Sequence, residues 1–445
     1  MEIMFRFSIL GLKSSRQGNI SGLFHTFKKN FSTVPSFENP QTEIALCGQK
    51  YETDDWTNIT PKIISRLGQD LHRNEKHPLG QIKRRITNYF YKSYYNRIGN
   101  PIFSVFDNLS PIVSTHQNFD SLLIPKDHAS RSKNDCYYLN ERTLLRAHTT
   151  AHQAELVSMG LNNFLIVGDV YRRDEIDSTH YPVFHQVDGV RICTADEIFD
   201  NVRGTDGLKI FEHRGIETRD KQGCHTLESV KIMEFDLKNA LVGLAQTLFG
   251  KDVQYRWVDE YFPFTHPSWE LEVFYNDKWI ELLGCGIVRQ EILQKAGASE
   301  RMGWAFGLGL ERLAMRLHSI PDIRLFWSTD TGFLHQFEVD NENSPVQYKP
   351  VSIYPQCNND LSFWLPQDVS YSSQDFYDIV REIGGDTVEQ ISLIDQFTHP
   401  KTKRTSHCYR IVYRHLERVL RQEEVNKIQQ EIEKSLQDRL SVVIR

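Results

Sequence analysis

The chain has 445 residues, 40% of them hydrophobic and 25% charged, the composition of an ordinary globular protein with room for two to four domains of ~100–200 residues. No apolar run approaches the ~20 residues that a membrane span needs, so no transmembrane helix and no membrane partner is expected. The formal net charge of −6 means that a nucleic acid would have to be met by a local basic patch rather than by the charge of the whole chain.

Residues 1–37 depart from that average. They carry Arg6, Lys13, Arg16, Lys28 and Lys29 against the single acid Glu2, with serines and apolar residues between them. A basic, serine-rich, acid-poor start is the pattern of a mitochondrial transit peptide, the alternative being a plain basic tail. The seven cysteines are scattered and never spaced C-x-x-C, which argues against a disulfide framework and a zinc ribbon. His148 and His152 in HTTAH have the i, i+4 spacing of a helix-borne metal pair. Thr149 stands where a zinc peptidase carries its glutamate, so that reading is set aside.

The segment GDVYRRDEIDSTHYPVFHQVDGV (168–190) has a strand-loop-strand pattern and gathers Arg172, Arg173, several acids, His180, His185 and Phe184. Arginines on a sheet can fork onto phosphate oxygens, and an aromatic on the returning strand can stack on a purine. In FPFTHPS (262–268), extended backbone would project Phe262 and Phe264 onto one face. That pair is either an apolar strand face or a slot for a flat ring. In GWAFGLGLERLAM (303–315) the glycines allow close approach of backbone to a ligand, and Arg312 stands where a strand gives way to a helix. It is not a dinucleotide fingerprint, because Arg312 occupies the place of the third glycine.

The polar stretch 331–350 reads as a linker. Beyond it, Phe376, Ile379, Val380 and Ile383 recur at helical spacing before paired glycines, two extended runs follow, then a long charged helix near 422–440 and a closing strand. The order β-α-β-β-α-β is that of a ferredoxin-like domain over 351–445. Between His399 and Arg421 the only acid, Glu417, stands among seven lysines and arginines that include Lys403, Arg410 and Arg414. Interleaved with Tyr409 and Tyr413, this strip is either a solvated face or a nucleic-acid surface.

The R-x-D of Arg172–Asp174, the H-x-x-x-F of His180–Phe184 and the G-x-G-x-E-R ending at Arg312 resemble motifs of class II aminoacyl-tRNA synthetases. FPFTHPS, HQVDG and the C-terminal unit narrow the resemblance to phenylalanyl-tRNA synthetases of the single-chain mitochondrial type, from about Ile82 to the C-terminus. The resemblance implies an α+β fold, with an antiparallel sheet flanked by helices over 38–330 and an anticodon-binding ferredoxin-like domain behind it. It implies an aminoacyl-tRNA ligase of the mitochondrial matrix, acting as a monomer on phenylalanine, ATP with Mg2+, and tRNA(Phe).

By the same resemblance Arg172 grips the α-phosphate and Arg312 the γ-phosphate, Asp174 and His180 belong to the ATP site, and Phe184 stacks on adenine. His148, Thr150, Gln186 and Asp188 orient the polar end of phenylalanine, Phe262 and Phe264 sandwich its ring, and Ala305 floors the pocket. Glu281 is the magnesium ligand, and Lys403, Arg410 and Arg414 hold tRNA. Three positions depart from the family pattern. Asp188 and Thr150 replace the common glutamate and serine, and His266 replaces the glutamate of the bacterial FPFTEPS.

Overall fold

In the computed structural model, which describes residues 43–199, 207–328, 331–339, 346–350, 354–367 and 371–445, a seven-stranded sheet organises the larger part of the chain. The expected leader, residues 1–37, lies outside the described residues. The strands are β1 (Ser104–Phe106), β2 (Asn163–Tyr171), β3 (Val183–Cys193), β4 (Gln254–Phe262), β5 (Thr265–Tyr275), β6 (Lys278–Val288) and β7 (Met302–Gly309). They lie in the order β1-β2-β3-β7-β6-β5-β4. Only β1 and β2 run parallel; every other neighbouring pair is antiparallel.

One face of this sheet is covered by α1 (Pro78–Ser93), α2 (Leu227–Phe249) and α3 (Leu310–Leu317). The imidazole of His77 accepts the Leu79 N–H and Pro78 opens α1, so its first turn is capped. Ile82, Ile86 and Phe90 then fall one turn apart and are buried, with Phe90 stacked on Phe306 of β7 at 5.4 Å. Helix α2 buries Val230, Met233, Leu237, Leu241, Leu244 and Leu248 in the same way. Because side chains alternate along a strand, Leu165, Val167, Val187, Leu283, Cys285, Phe306 and Leu308 join that core, while their neighbours face the other way.

The other face is lined in rows set by the register. Asp188 lies opposite Gly307, which lies opposite Gly284, which lies opposite Glu270. One row on, Val190, Ala305, Gly286 and Ser268 are opposed. Glycine and alanine at the centre of these rows leave a trough in the sheet. A Cβ on Gly284 would lie 2.8 Å from the Phe262 ring, and one on Gly307 would lie 2.9 Å from Asp188 Oδ1.

The C-terminal domain is built from β8 (Cys357–Trp364), α4 (Ser373–Gly384), β9 (Val388–Thr398), β10 (Thr405–Tyr413), α5 (Gln422–Leu440) and β11 (Val443–Ile444). Its antiparallel sheet has the order β9-β10-β8-β11, the ferredoxin-like arrangement. Phe376, Ile379 and Val380 of α4 and Val425, Ile432 and Leu436 of α5 close its core over Phe363, Tyr409 and Ile411. In the stretch expected to be a linker, Phe333 and Phe337 are buried in the first core, and the Tyr348 N–H donates to the His318 carbonyl at 2.7 Å. Those parts are docked rather than free.

The loop between β2 and β3 joins the two domains. Arg173 Nε donates to Asp378 Oδ2 at 2.8 Å and its Nη2 to Asp375 Oδ1 at 2.8 Å. The Tyr137 hydroxyl donates to Asp378 Oδ1 at 3.0 Å, and Arg381 Nη2 to the Asp174 carbonyl at 2.9 Å. Ile176 is buried within the C-terminal core, and its carbonyl accepts the Ile391 N–H at 3.0 Å.

Candidate active site

The trough deepens into a small, partly open cavity. Thr150, Gln186, Asp188, Phe262, Phe264 and Ala305 all line it. Sequence reasoning missed Thr265, Gly284 and Gly307, which line it too, along with the strand segments at Cys285 and Phe306 whose side chains belong to the opposite core. The cavity has two characters. Phe262, Phe264 and Ala305 make one end apolar, and Thr150, Gln186 and Asp188 make the other polar.

At the polar end the Thr150 hydroxyl donates to Asp188 Oδ2 at 2.5 Å. Burial pushes the Asp188 carboxyl up to about 6, against the lowering effect of the two threonine hydroxyls and the Arg172 charge. Gln186 is buried beside it, and its Oε1 meets no hydrogen-bond partner among the described residues. His148, two residues before Thr150, is buried as well but is not among the residues that line the cavity. Burial and then the Arg172 charge hold its imidazole down at about 3, so it is neutral at physiological pH. A buried acceptor left open at a cavity, as Gln186 Oε1 is, is what a polar ligand satisfies.

At the apolar end the geometry corrects an expectation. Phe262 ends β4 and Thr265 begins β5, so Pro263 and Phe264 form a two-residue hairpin turn rather than extended strand. The two rings meet across that turn, nearly parallel, with centroids 5.8 Å apart and planes at 10°. A third ring between them would need about 7 Å, two contact spacings of ~3.5 Å. They therefore stack on each other and form one wall, and do not bracket a gap.

Arg172 leaves β2 beside this cavity. Its Nε donates to the Ala147 carbonyl at 2.8 Å, and its guanidinium carbon lies 5.2 Å from the centroid of Phe184. Phe184 is held indirectly, because the neighbouring His185 is clamped by Glu311 of α3. The Glu311 carboxylate accepts the His185 N–H at 2.8 Å and meets His185 Nδ1 at 2.6 Å. Glu311 is a residue that sequence reasoning did not single out, although it sits inside the G-x-G-x-E-R motif. Arg312 points across the sheet, Nη1 donating to Glu281 Oε2 at 3.0 Å.

Glu281 Oε1 is buried with no hydrogen-bond partner among the described residues. Burial and the charges of Glu281, Glu260 and Glu272 push the Glu270 carboxyl up to about 7. Crowded, partly unsatisfied carboxylates fit a divalent cation that takes one or two protein ligands and completes its shell from phosphates and water. Among the described residues no three His, Cys, Asp or Glu side chains gather to hold a metal unaided.

Asp174 and His180 lie further along the loop. The Asp174 carbonyl is engaged by Arg381. His180 bonds Asp177 at 2.6 Å, which raises its pKa above the ordinary value, and it lines a second cavity at the domain junction with Ile176, Arg324 and Arg381. The structure thus does not bring His180 into the cavity that holds Asp188.

The basic strip is not a row of open cations. Arg410 makes a two-pronged bridge to Asp360, both contacts at 2.8 Å, and Arg414 Nε pairs with Glu389 at 2.9 Å. Lys403 stands on the turn between β9 and β10 with φ of 57°. On the sheet face that carries Arg410, the rings of Trp364, Phe397 and His399 gather at 6.3–6.5 Å from one another. Arg404 and Arg445 each lie 5.3 Å over Trp364. Rings interleaved with cations form a surface for unpaired bases; Trp364 is far from Phe397 and His399 in sequence, and the strand register brings it to them.

Two family descriptions match the chain. "tRNA synthetases class II core domain (F)" covers residues 62–213 and 226–337, and "Ferredoxin-fold anticodon binding domain" covers 352–445. The chain is 57% identical over 426 residues to a Drosophila melanogaster protein named "Probable phenylalanine–tRNA ligase, mitochondrial", spanning 91% of this chain and 93% of that one. It is 54% identical over 403 residues to the mitochondrial phenylalanine–tRNA ligase of Mus musculus, spanning 91% and 89%. With the Saccharomyces cerevisiae mitochondrial phenylalanine–tRNA ligase it shares 40% identity over 454 residues, spanning 90% and 95%.

Proposed function

Because the chain belongs to the mitochondrial phenylalanine–tRNA ligase family of class II tRNA synthetases, we propose that it activates phenylalanine with ATP and transfers it to the terminal ribose of mitochondrial tRNA(Phe). The single observation that carries this reading is the two-ended cavity, apolar at Phe262, Phe264 and Ala305 and polar at Thr150, Gln186 and Asp188. A phenyl ring seats against the stacked wall and over Ala305. The ammonium group meets Asp188, while His148, Thr150 and Gln186 orient the carboxylate end.

The chemistry is positioning and charge stabilisation. An oxygen of the phenylalanine carboxylate attacks the α-phosphorus of ATP in line, the bond to the bridging oxygen breaks, and pyrophosphate leaves. Arg172 neutralises charge on the α-phosphate. Phe184 supports the adenine ring, and Asp174 and His180 complete the ATP site. Arg312 exchanges Glu281 for the γ-phosphate. Magnesium, when bound at Glu281 with Glu270 beside it, would offset the charge of the departing phosphates. A ribose hydroxyl of tRNA then attacks the acyl carbon of phenylalanyl-adenylate and AMP leaves.

The C-terminal domain holds the anticodon end of tRNA through Lys403, Arg410, Arg414 and the Trp364 cluster. The proposal includes a leader over 1–37, a catalytic part over 38–330, a connector over 331–350, residence in the mitochondrial matrix and action as a monomer. Aminoacylation of a mitochondrial tRNA(Phe) transcript with labelled phenylalanine, in magnesium and ATP, tests it. Charging with phenylalanine is expected; charging with another amino acid instead, or none, would overturn it.

A further inference from the structure

We propose that residues 215–225 are a brace that sets the width of the apolar end of the cavity, with Gln222 and His266 as its positioning residues. This inference rests on the phenylalanine-activating function proposed above. The family match passes over residues 214–225, between its two parts, yet this segment is pinned to the hairpin that carries Phe262 and Phe264.

The reason lies in the sheet. The pairing of β5 with both of its neighbours slips between Thr265 and Ser268, so the regular ladder is interrupted there. Gln222 bridges the interruption. Its Nε2 donates to the His266 carbonyl at 2.9 Å and to the Val288 carbonyl at 3.0 Å, and its Oε1 accepts the Gln290 N–H at 2.8 Å. The residue is only 4% exposed, so the three bonds are made away from water, where losing one is costly. One side chain thereby fastens the start of β5 to the end of β6 directly behind the stacked rings.

Other contacts repeat the attachment. His266 Nε2 donates to the Thr218 carbonyl at 2.7 Å. Arg289, whose N–H donates to the Phe264 carbonyl at 2.9 Å, is held by Glu217 at 2.7 Å. Phe264 is therefore tied to the brace through Arg289 and through its own chain at His266. A bacterial-type glutamate at position 266 could not donate to Thr218, so the histidine and the brace belong together.

The consequence is a division of labour: the rings supply the wall, and the brace fixes where the wall stands. Gln222→Leu keeps the volume but removes both donors and the acceptor. Its test is ATP–pyrophosphate exchange with phenylalanine, tyrosine and para-chlorophenylalanine, recorded beside the unaltered protein. The expected result is a roughly tenfold rise in KM for phenylalanine, an unchanged KM for ATP, and a fall in discrimination against the para-substituted analogue. His266→Ala, at a half-exposed side chain, is expected to move the same ratio in the same direction by less, and it keeps the test open if Gln222→Leu does not fold.

A lower yield of active protein with an unchanged discrimination ratio in both variants would overturn the brace and leave only a structural role. Absence of phenylalanine-dependent exchange in the unaltered protein would instead overturn the function on which it rests.

Discussion

Thr150 and Asp188 are joined by a 2.5 Å hydrogen bond on the floor of the cavity, with the Asp188 carboxyl raised to about 6 by its burial. The sign follows from which form binds. An ammonium substrate needs the carboxylate, so protonation competes with phenylalanine. The kcat/KM for phenylalanine is expected to be flat above about pH 6 and to fall tenfold per pH unit below it, because this parameter reports the free enzyme. Asp188→Asn should lower kcat/KM and abolish that limb. Stability moves oppositely: the folded pKa lies above the ordinary 3.8, so this group's contribution falls as pH rises from about 4 to about 6 and is level beyond. A limb that persists in Asp188→Asn would contradict the assignment.

Ala305 faces the ring wall from β7 with glycines on either side of its row. Ala305→Gly removes a methyl group from the floor without disturbing the ladder. The expected outcome is activation of para-chlorophenylalanine at a rate approaching that of phenylalanine, measured by pyrophosphate exchange. Because an apolar pocket separates near-isosteres by only roughly 100-fold, opening it should also raise misactivation of tyrosine. Unchanged rejection of both would place the steric limit elsewhere.

Arg173 is buried between Asp378 and Asp375 of the other domain, and Asp378 also receives Arg381 and Tyr137. Removing Asp378 leaves the buried Arg381 without a carboxylate and Arg173 with Asp375 alone, which costs on the order of 3–5 kcal/mol. Asp378→Ala is expected to lower thermal stability by that order and to expose the domain junction to limited proteolysis. A loss below about 1 kcal/mol would mean that the junction is already open in solution.

Trp364 lies under two arginines at one end of the C-terminal sheet. Trp364→Ala should weaken tRNA binding by about 1–3 kcal/mol, the range for one stacked base, while pyrophosphate exchange without tRNA is unaffected. Affinity should also fall steeply as salt rises. Equal affinity for the variant, or a salt-independent affinity, would remove this face from the tRNA interface.

The C-terminal fold was legible because its signals are local. Phe376, Ile379 and Val380 mark a helix by spacing alone, and the glycines at 384 and 385 end it. The cavity was legible through motif resemblance, which named six of its lining residues. What escaped depends on contacts distant in sequence. Alternation suggested that Phe262 and Phe264 share a strand face, but Phe264 belongs to the hairpin turn that follows Phe262, which stacks one ring on the other. Arg410 looked like an open cation because Asp360, its cross-strand partner, is fifty residues away. Gln222 carried no signal at all, since an isolated glutamine in a polar loop becomes informative only once the slipped ladder it completes is visible.

The most direct test of the account is ATP–pyrophosphate exchange by the chain lacking residues 1–37, with magnesium and each of the twenty amino acids in turn. Strong exchange with phenylalanine, weak exchange with tyrosine and none with the rest is the result the cavity predicts. Exchange driven equally by phenylalanine and tyrosine, or by no amino acid, would contradict it.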